Sequence, residues 1–423
     1  MSSSANTPEH RRLREKYSGS VDPWRKWGPY VSERAWGSVR EDYSADGNAW
    51  NSLTHDMARS KAYRWGEDGI AALCDRYQVL VFALALWNGR DPILKERMFG
   101  LTCDEGNHGE DVKEYWFYLD STPTHSYMRM LYKYPHAEFP YAQLVEENRR
   151  RSGGNQPEYE LLDTGIFEQN RYFDVFVEYA KVSEEDIAIR IEAINRGPEA
   201  ATLHLLPHLW FRNTWGWTDP RGGEPIIQLG SRSSGSAEPL CLVADDTEAG
   251  ALANLQFSYK LGCRFLYAPA DGTALFTNNE SNAIRLHGAS TNPKPFVKDG
   301  FHRHVIHGEA SIEPAQRGTK SCVWYERSLA SGESWTLRLR LAPHELENPL
   351  KDVDATITTR RADADEFYEA VHPPKASAED CRIQRQALAG MLWSKVFYYW
   401  DVDLWLNGDN PKFQPPDSRK RGR

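Results

Sequence analysis

The stretch from Glu33 to Asp68 concentrates side chains suited to handling a sugar. Trp36, Tyr43, Trp50 and Trp65 stand among Arg34, Arg40, Arg59, Arg64, Glu41, Asp42, Asp46, His55, Asp56, Glu67 and Asp68, with no regular apolar face. Aromatic rings pack under the apolar faces of pyranoses, while carboxylates and guanidinium groups take the hydroxyls. The candidate substrate contacts are Arg34, Trp36, Arg40, Glu41, Asp42, Trp50, Trp65, Glu67 and Asp68. The same residues also read as a network of arginine and carboxylate pairs that fastens an N-terminal arm to a sheet. The residues by themselves leave both readings open.

Adjacent acids recur at Glu41-Asp42, Glu67-Asp68 and Glu110-Asp111. Glycoside hydrolysis needs two carboxyl groups across the scissile bond, about 6.5–9.5 Å apart for inversion and about 5–5.5 Å for retention. Sequence neighbours point different ways on a strand, so no doublet is itself such a pair. His302, His304 and His307 form an H-x-H-x-x-H cluster, and on a strand the first two share a face. No third ligand type accompanies them at a metal-binding spacing, so they are expected as surface or loop histidines. His204 and His208 are four apart, but Pro207 and the strand-like surroundings deny them a helix. The run Asn107 to Asp111 reads as a polar loop before an aromatic strand, Tyr115 to Tyr118. Phosphate-loop, dinucleotide, serine-hydrolase and zinc-protease motifs are absent. No metal or cofactor is expected.

The wider composition narrows the class. With 423 residues, 40% hydrophobic and 26% charged, the chain can bury a large core. Its net charge of -9 is the wrong sign for a dedicated nucleic-acid binder. The longest apolar run, Val79 to Trp87, suits a buried strand and is too short to span a bilayer. Residues 1–20 are polar, without the apolar stretch of a secretory signal, so a cytoplasmic location is expected with no membrane partner. Six scattered cysteines lack the spacing of a zinc site or disulfide scaffold and read as reduced, mostly buried thiols. Fifteen Trp, 20 Tyr and 16 Phe demand either thick sheet cores or a platform for flat ligands.

Period-two alternation marks the elements that position these residues. Phe173, Val175, Val177 and Tyr179 alternate with more polar partners, as do Ile187, Ile189, Ile191 and Ala193. Asn195 to Pro198 turns the chain into Ala201–Phe211, which predicts an antiparallel pair. A second hairpin of the same kind is predicted from Cys322–Arg327 and Trp335–Leu341. Between them, short apolar pieces at 240–244, 252–257, 265–267 and 274–277 sit among turn formers. The pattern predicts a mainly β chain, a large antiparallel β-sandwich. Helix is expected around Tyr141 to Arg151 and in part of 58–80. From Asp352 to Val371 a helix ends before Pro373-Pro374, and another starts near Ser377, with Glu379 and Asp380 in its first turn. The tail beyond Gly408 is basic and proline-rich, with no element expected.

Long blocks carry a further signal. ERAWGSVREDYSADGNAW, ARSKAYRWGEDGI, FALALWNGRDPILKERMFGLT, EGNHGEDVKEYWFYLDSTPTHSYM, YKYPHAEFPY and LLPHLWFRNTW resemble the N-terminal region of bacterial and fungal glucosidase-like proteins related to glycoside hydrolase family 63, the mannosyl-oligosaccharide glucosidase family. The resemblance runs from about Trp24 to Asn410. It implies a longer, two-part enzyme: an N-terminal sandwich (a supersandwich), linker helices, and an (α/α)6 barrel holding an Asp general acid and a Glu general base in an inverting mechanism. No residue here matches those catalytic motifs, so none is assigned.

On this reading residues 1–23 are a flexible arm, 24–345 the sandwich, 346–408 the helical linker and start of the helical region, and 409–423 a basic tail. Arg419 to Arg423 stand where related proteins run on into the barrel, so a truncated, frameshifted or split protein is expected. The expected partners are an oligosaccharide and a barrel in cis or in trans. The alternatives are a free-standing carbohydrate-binding module and a truncated product without function.

Overall fold

The computed structural model describes residues 6–15, 22–30, 54–62, 69–101, 111–154, 156–216, 222–230, 238–252, 255, 257–394, 402–408 and 415–421. The described strands are β1 (Trp27–Tyr30), β2 (Ile70–Asp75), β3 (Leu80–Trp87), β4 (Gly100–Leu101), β5 (Asp111–Val112), β6 (Trp116–Ser121), β7 (Tyr127–Pro135), β8 (Tyr172–Lys181) and β9 (Ile187–Asn195). They continue with β10 (Ala201–Phe211), β11 (Ile226–Leu229), β12 (Leu240–Asp245), β13 (Cys263–Ala268), β14 (Thr273–Thr277), β15 (Arg317–Gly318), β16 (Lys320–Leu329) and β17 (Ser334–Ala342). One sheet has the order β1-β2-β3-β10-β16-β14 and the other β15-β11-β12-β13-β17-β9-β8-β7-β6, while β4 and β5 form a small ribbon. All strand pairings within the sheets are antiparallel. The chain is mainly β, and the two large sheets face each other across one core.

That core draws on both sheets: Leu73, Phe82, Leu84, Leu203, Leu205 and Val323 from the first meet Val175, Val177, Ile189, Ile191, Leu337 and Leu339 from the second. The first sheet is covered on its outer face too, by the 88–101 connection and the helix Gly300–His307. Its strands are therefore buried on both sides, and β3 reads as the unbroken run LVFALALW. The second sheet keeps polar outer positions at Asp174, Glu178 and Arg190.

Two expected hairpins turn out to be crossings between the sheets. β9 pairs with β8 and β17, whereas β10 pairs with β3 and β16. β16 and β17 likewise lie in different sheets. Alternation shows that one face of a strand is buried; it does not say which sheet supplies the cover. The two crossings lie side by side, with the Asn195 side-chain Nδ2 donating to the carbonyls of Glu199 at 2.7 Å and Leu329 at 2.9 Å. The 252–257 piece forms no strand among its described residues, and the described part of 58–80 holds only the last helical residue of 55–58, the strand Ile70–Asp75 and the start of β3 where helix was expected.

The helices are α1 (Pro8–Arg14), α2 (His55–Ala58), α3 (Tyr141–Arg151), α4 (Ala283–His287), α5 (Gly300–His307), α6 (Val353–Val371), α7 (Ala378–Trp393) and α8 (Val402–Asn407). Among its described residues the tail carries a 3-10 helix, Asp417–Arg421, where no element was expected. No helix among the described residues is long and apolar enough to cross a membrane. Of the described cysteines, Cys74 and Cys322 are buried, Cys241 and Cys381 are half-buried and Cys263 is exposed; none is in a disulfide.

The last strand ends at Ala342, and α6 lies across the outer face of β8 and β9. α7 is capped by Ser377, whose hydroxyl accepts from the Asp380 amide at 3.1 Å while the Asp380 carboxylate reaches back. Trp393 is fully buried, stacks on Tyr118 at 5.0 Å and donates its indole N–H to the Asp120 carbonyl at 2.9 Å. α7 thus closes the gap between the β6 and β1 edges. The opposite side of the same helix leaves Ile383 and Met391 59% and 72% exposed. Trp393→Ala should cost about 3–5 kcal/mol in urea unfolding, while Met391→Ala should stay within about 0.5 kcal/mol. Equal losses would show that α7 is seated the other way round.

Candidate functional site

The candidate contacts Arg34, Trp36, Arg40, Glu41, Asp42, Trp50, Trp65, Glu67 and Asp68 lie outside the described residues, as do Asn107 to Glu110. What is described is the ground from which those segments leave and to which they return: Tyr30, the 54–62 segment, Gly69, Leu101 and Asp111.

Residues 54–62 are held tightly. Thr54 caps α2 through the Met57 amide at 3.2 Å. Ser60 donates to Asp299 at 2.6 Å, the Ala62 amide to Ser281 at 2.9 Å, and the Lys298 ammonium to the carbonyls of Ala58 at 3.1 Å and Lys61 at 2.7 Å. On its other side the His55 ring meets Phe99 edge-on at 5.0 Å and stacks on Tyr141 at 5.5 Å. Burial, with the charges of Arg97, Lys95 and Arg59 added, holds the imidazole well below its ordinary pKa. Among the described residues its Nε2 has no hydrogen-bond partner.

Beneath lies a seam of buried charge built by the 88–101 connection. The Lys95 and Glu114 side chains are 0% exposed and pair at 2.6 Å. Glu114 also accepts from the Phe99 amide at 2.9 Å and the Tyr132 hydroxyl at 2.5 Å. The ammonium sits 3.9 Å from the Phe139 ring centroid and 4.7 Å from that of Tyr141. Asp91 accepts from the Ile93 amide at 3.0 Å and from the hydroxyls of Tyr134 and Tyr141, both at 3.2 Å. Burial pushes its pKa up to about 6, against the pull of Lys95. Glu96 pairs with Lys320 at 2.7 Å, and His208 Nε2 stands 3.5 Å from the same oxygen.

Among the described residues these charged groups are buried and already bonded to one another or to neighbouring amides and hydroxyls. A cleft between Phe211, Trp215, Asp246, Tyr259 and Lys260 encloses about 20 Å³, room for a water molecule and not for a sugar ring. The seam is therefore a fastening, and it escaped the sequence reading because its charges look like surface charges until their partners are known. One signal was present: Asn88 to Met98 sets charged residues among apolar ones without an amphipathic period.

The histidine cluster is corrected in its geometry. Residues 302–307 belong to α5, so His302 and His304 diverge; His302 is buried, its Nδ1 accepting the Leu94 amide at 3.2 Å. Burial lowers its pKa to about 4. His204 and His208 lie on β10, as the proline required, and both are buried there. Asp111, Glu158 and Glu160 come together as three carboxylates, but the Lys113 ammonium already stands among them, 2.7 Å from Glu160 and 3.2 Å from Glu158.

No protein-family model matches the chain. It is 37% identical over 462 residues to an uncharacterized protein of Saccharomyces cerevisiae, an alignment that takes in 99% of this chain. The chain spans 41% of that relative's length. Among solved structures it is similar in part to a polysaccharide lyase (TM-score 0.26, 10% identity, 66% of this chain and 28% of that one). It is also similar in part to a putative kojibiose phosphorylase from the human microbiome (0.23, 10%, 76% and 32%) and a putative aldose 1-epimerase from Escherichia coli (0.21, 10%, 54% and 67%).

Two outcomes test the fastening role. Lys95→Met strands the Glu114 carboxylate and should cost about 3–5 kcal/mol, much of it recovered when Glu114→Gln is added; additive losses would contradict the pairing. Asp91 has a folded pKa above its unfolded value, so its contribution is present below about pH 4 and is lost as pH rises through about 6. The Asp91→Asn variant should lack that slope, worth roughly 3 kcal/mol across the window. Parallel stability curves for the two proteins between pH 4 and 7 would refute it.

Proposed function

We propose that this chain is the sandwich portion of a longer glycoside hydrolase acting on α-glucosidic oligosaccharides by inversion, with the catalytic acid and base outside these residues. The observation that carries the proposal is the apolar stripe Ile383, Ala387 and Met391 on α7. It faces solvent while the other side of the helix is built into the core. An apolar helical stripe of this kind is what a further packed layer would cover. The resemblance of the residue blocks from Trp24 to Asn410 to the family 63 group supports the choice of a helical barrel as that layer. The yeast relative, of which the chain spans 41%, has the length for one.

The described carboxylates agree with a non-catalytic sandwich. Asp91, Glu96, Glu114 and Asp299 are all buried and already bonded to neighbouring side chains or amides. In this proposal the segments at 31–53 and 63–68, with Trp36, Trp50, Trp65 and their acids and arginines, meet the sugar at the mouth of the barrel. The seam of Lys95, Glu114 and Asp91 holds their roots in place.

The test compares the 423-residue chain with a protein that continues through the helical region of a relative. The longer protein should release glucose of inverted configuration, seen by proton NMR, and the chain alone should show no turnover. Trp50→Ala in the longer protein should then raise KM several-fold. Turnover by the short chain, or a folded longer protein inert on every α-glucoside offered, would sink the proposal.

A further inference from the structure

α1 has seven residues, too few to hold a helix in water by itself. Its helicity therefore depends on what it docks against. The docking is polar: the buried residues of this segment are Thr7, Glu9 and Arg12, and no apolar side chain of α1 is buried.

The Glu9 carboxylate fills a socket in the β6–β7 turn. One oxygen accepts from the Thr124 amide and hydroxyl, both at 2.7 Å; the other accepts from the Ser126 hydroxyl at 2.8 Å and Arg12 at 3.3 Å. Arg12 reaches on to Asp363 of α6, which also receives Arg360 at 2.8 Å. Arg360 in turn donates to the Lys181 carbonyl at 2.6 Å. His10 lies against Phe367, ring centroids 5.0 Å apart, and Arg12 lies over Trp24 at 5.1 Å. The chain after α1 is pinned by the buried Lys181 ammonium, which donates to the carbonyls of Trp24, Trp27 and Thr124.

These contacts reach one part of α6 only. Its first half is anchored without α1, by Val353 and Ile357 in a small core with Tyr127 and Ala180 and by Asp354 on Arg190 and Arg338. Its second half, 360–371, has contacts of its own with the sandwich, Ala364 in the same small core, Arg361 on Glu178 and the Tyr368 hydroxyl donating to the Ser121 carbonyl at 2.5 Å, and adds contacts with α1 through Asp363 and Phe367; α7 follows its end.

We propose that α1 is a polar latch, a local two-state unit that folds only when docked and that holds the second half of α6, and hence the exit of α7, against the sandwich. A carboxylate in a preformed socket supplies the hold, and the apolar residues of the latch, Pro8 and Leu13, are only half-buried. Local units of this kind exchange amide hydrogens independently of the global core.

The experiment is hydrogen exchange by mass spectrometry on the full 423-residue chain. In Glu9→Ala, peptides covering 8–14 and 360–371 should exchange roughly tenfold or more faster, the effect of losing several charge-assisted hydrogen bonds. Peptides from β8 and β9 should keep wild-type protection. Asp363→Asn removes the bridge from the other side and leaves the socket intact, so by reciprocity it should speed exchange in 8–14. The proposal is overturned if Glu9→Ala frees 8–14 while 360–371 keeps its protection. It is also overturned if β8 and β9 open together with α1, or if Asp363→Asn leaves 8–14 unchanged.

Discussion

A lysine ammonium shut away from water must find a counter-charge and further polar contacts, or it will not stay buried. Lys95 meets that constraint with Glu114, two aromatic rings and a backbone ladder that ties its own amide and carbonyl to Leu86. Because the pair is fixed, the connection from Asn88 to Leu101 lies flat against the first sheet. That connection supplies the outer cover under which Leu94, Leu206, Phe301 and Val305 pack. The same fixed pair orients Phe99 and Tyr141, the rings that receive His55, and so the 54–62 segment takes its place. One buried ion pair thereby helps to fix the 54–62 segment, together with Asp299, Ser281 and Lys298 on its other side.

Much of this fold could be read in the residues, and the rest is hidden for identifiable reasons. The strands around Phe173 to Tyr179 and Ile187 to Ala193 announce themselves because one face is wet and the other dry. Tyr141 to Arg151 and the two helices after Asp352 are delimited by prolines, an N-cap serine and the acids of a first turn. The pairing of β9 with β17 instead of β10 is hidden, since both partners present the same apolar face to the strand. The seam is hidden for a different reason. Glu96 finds Lys320, 224 positions away, and nothing near either residue records the other. The candidate contacts between Arg34 and Asp68 were picked out by residue type, and only their flanks at Tyr30, Thr54 to Ala62 and Gly69 are described.

The helices after the last strand serve two masters. α6 is charged on its outer side and lies on a charged outer sheet face, where Glu178 takes Arg190 at 2.5 Å and Arg361. α7 buries Trp393 and Ala389 in the main core yet carries Ile383 and Met391 outward. A helix apolar on two sides belongs between two layers. The sandwich is one of them; in the proposed reading a barrel would be the other.

The side-by-side crossings at Asn195 bear on how such a chain reaches its fold. A hairpin closes within a few residues, but the Asn195 side-chain Nδ2 meets a carbonyl 134 residues further along. Until residue 329 has left the ribosome, neither sheet has its full set of strands and the two cannot be locked together. β10 can pair with β3 once residue 211 is made, but its other edge waits for β16, more than a hundred residues later. A late strand therefore completes each sheet, β16 the first and β17 the second, so the order in which the core can close is set by the path of the backbone.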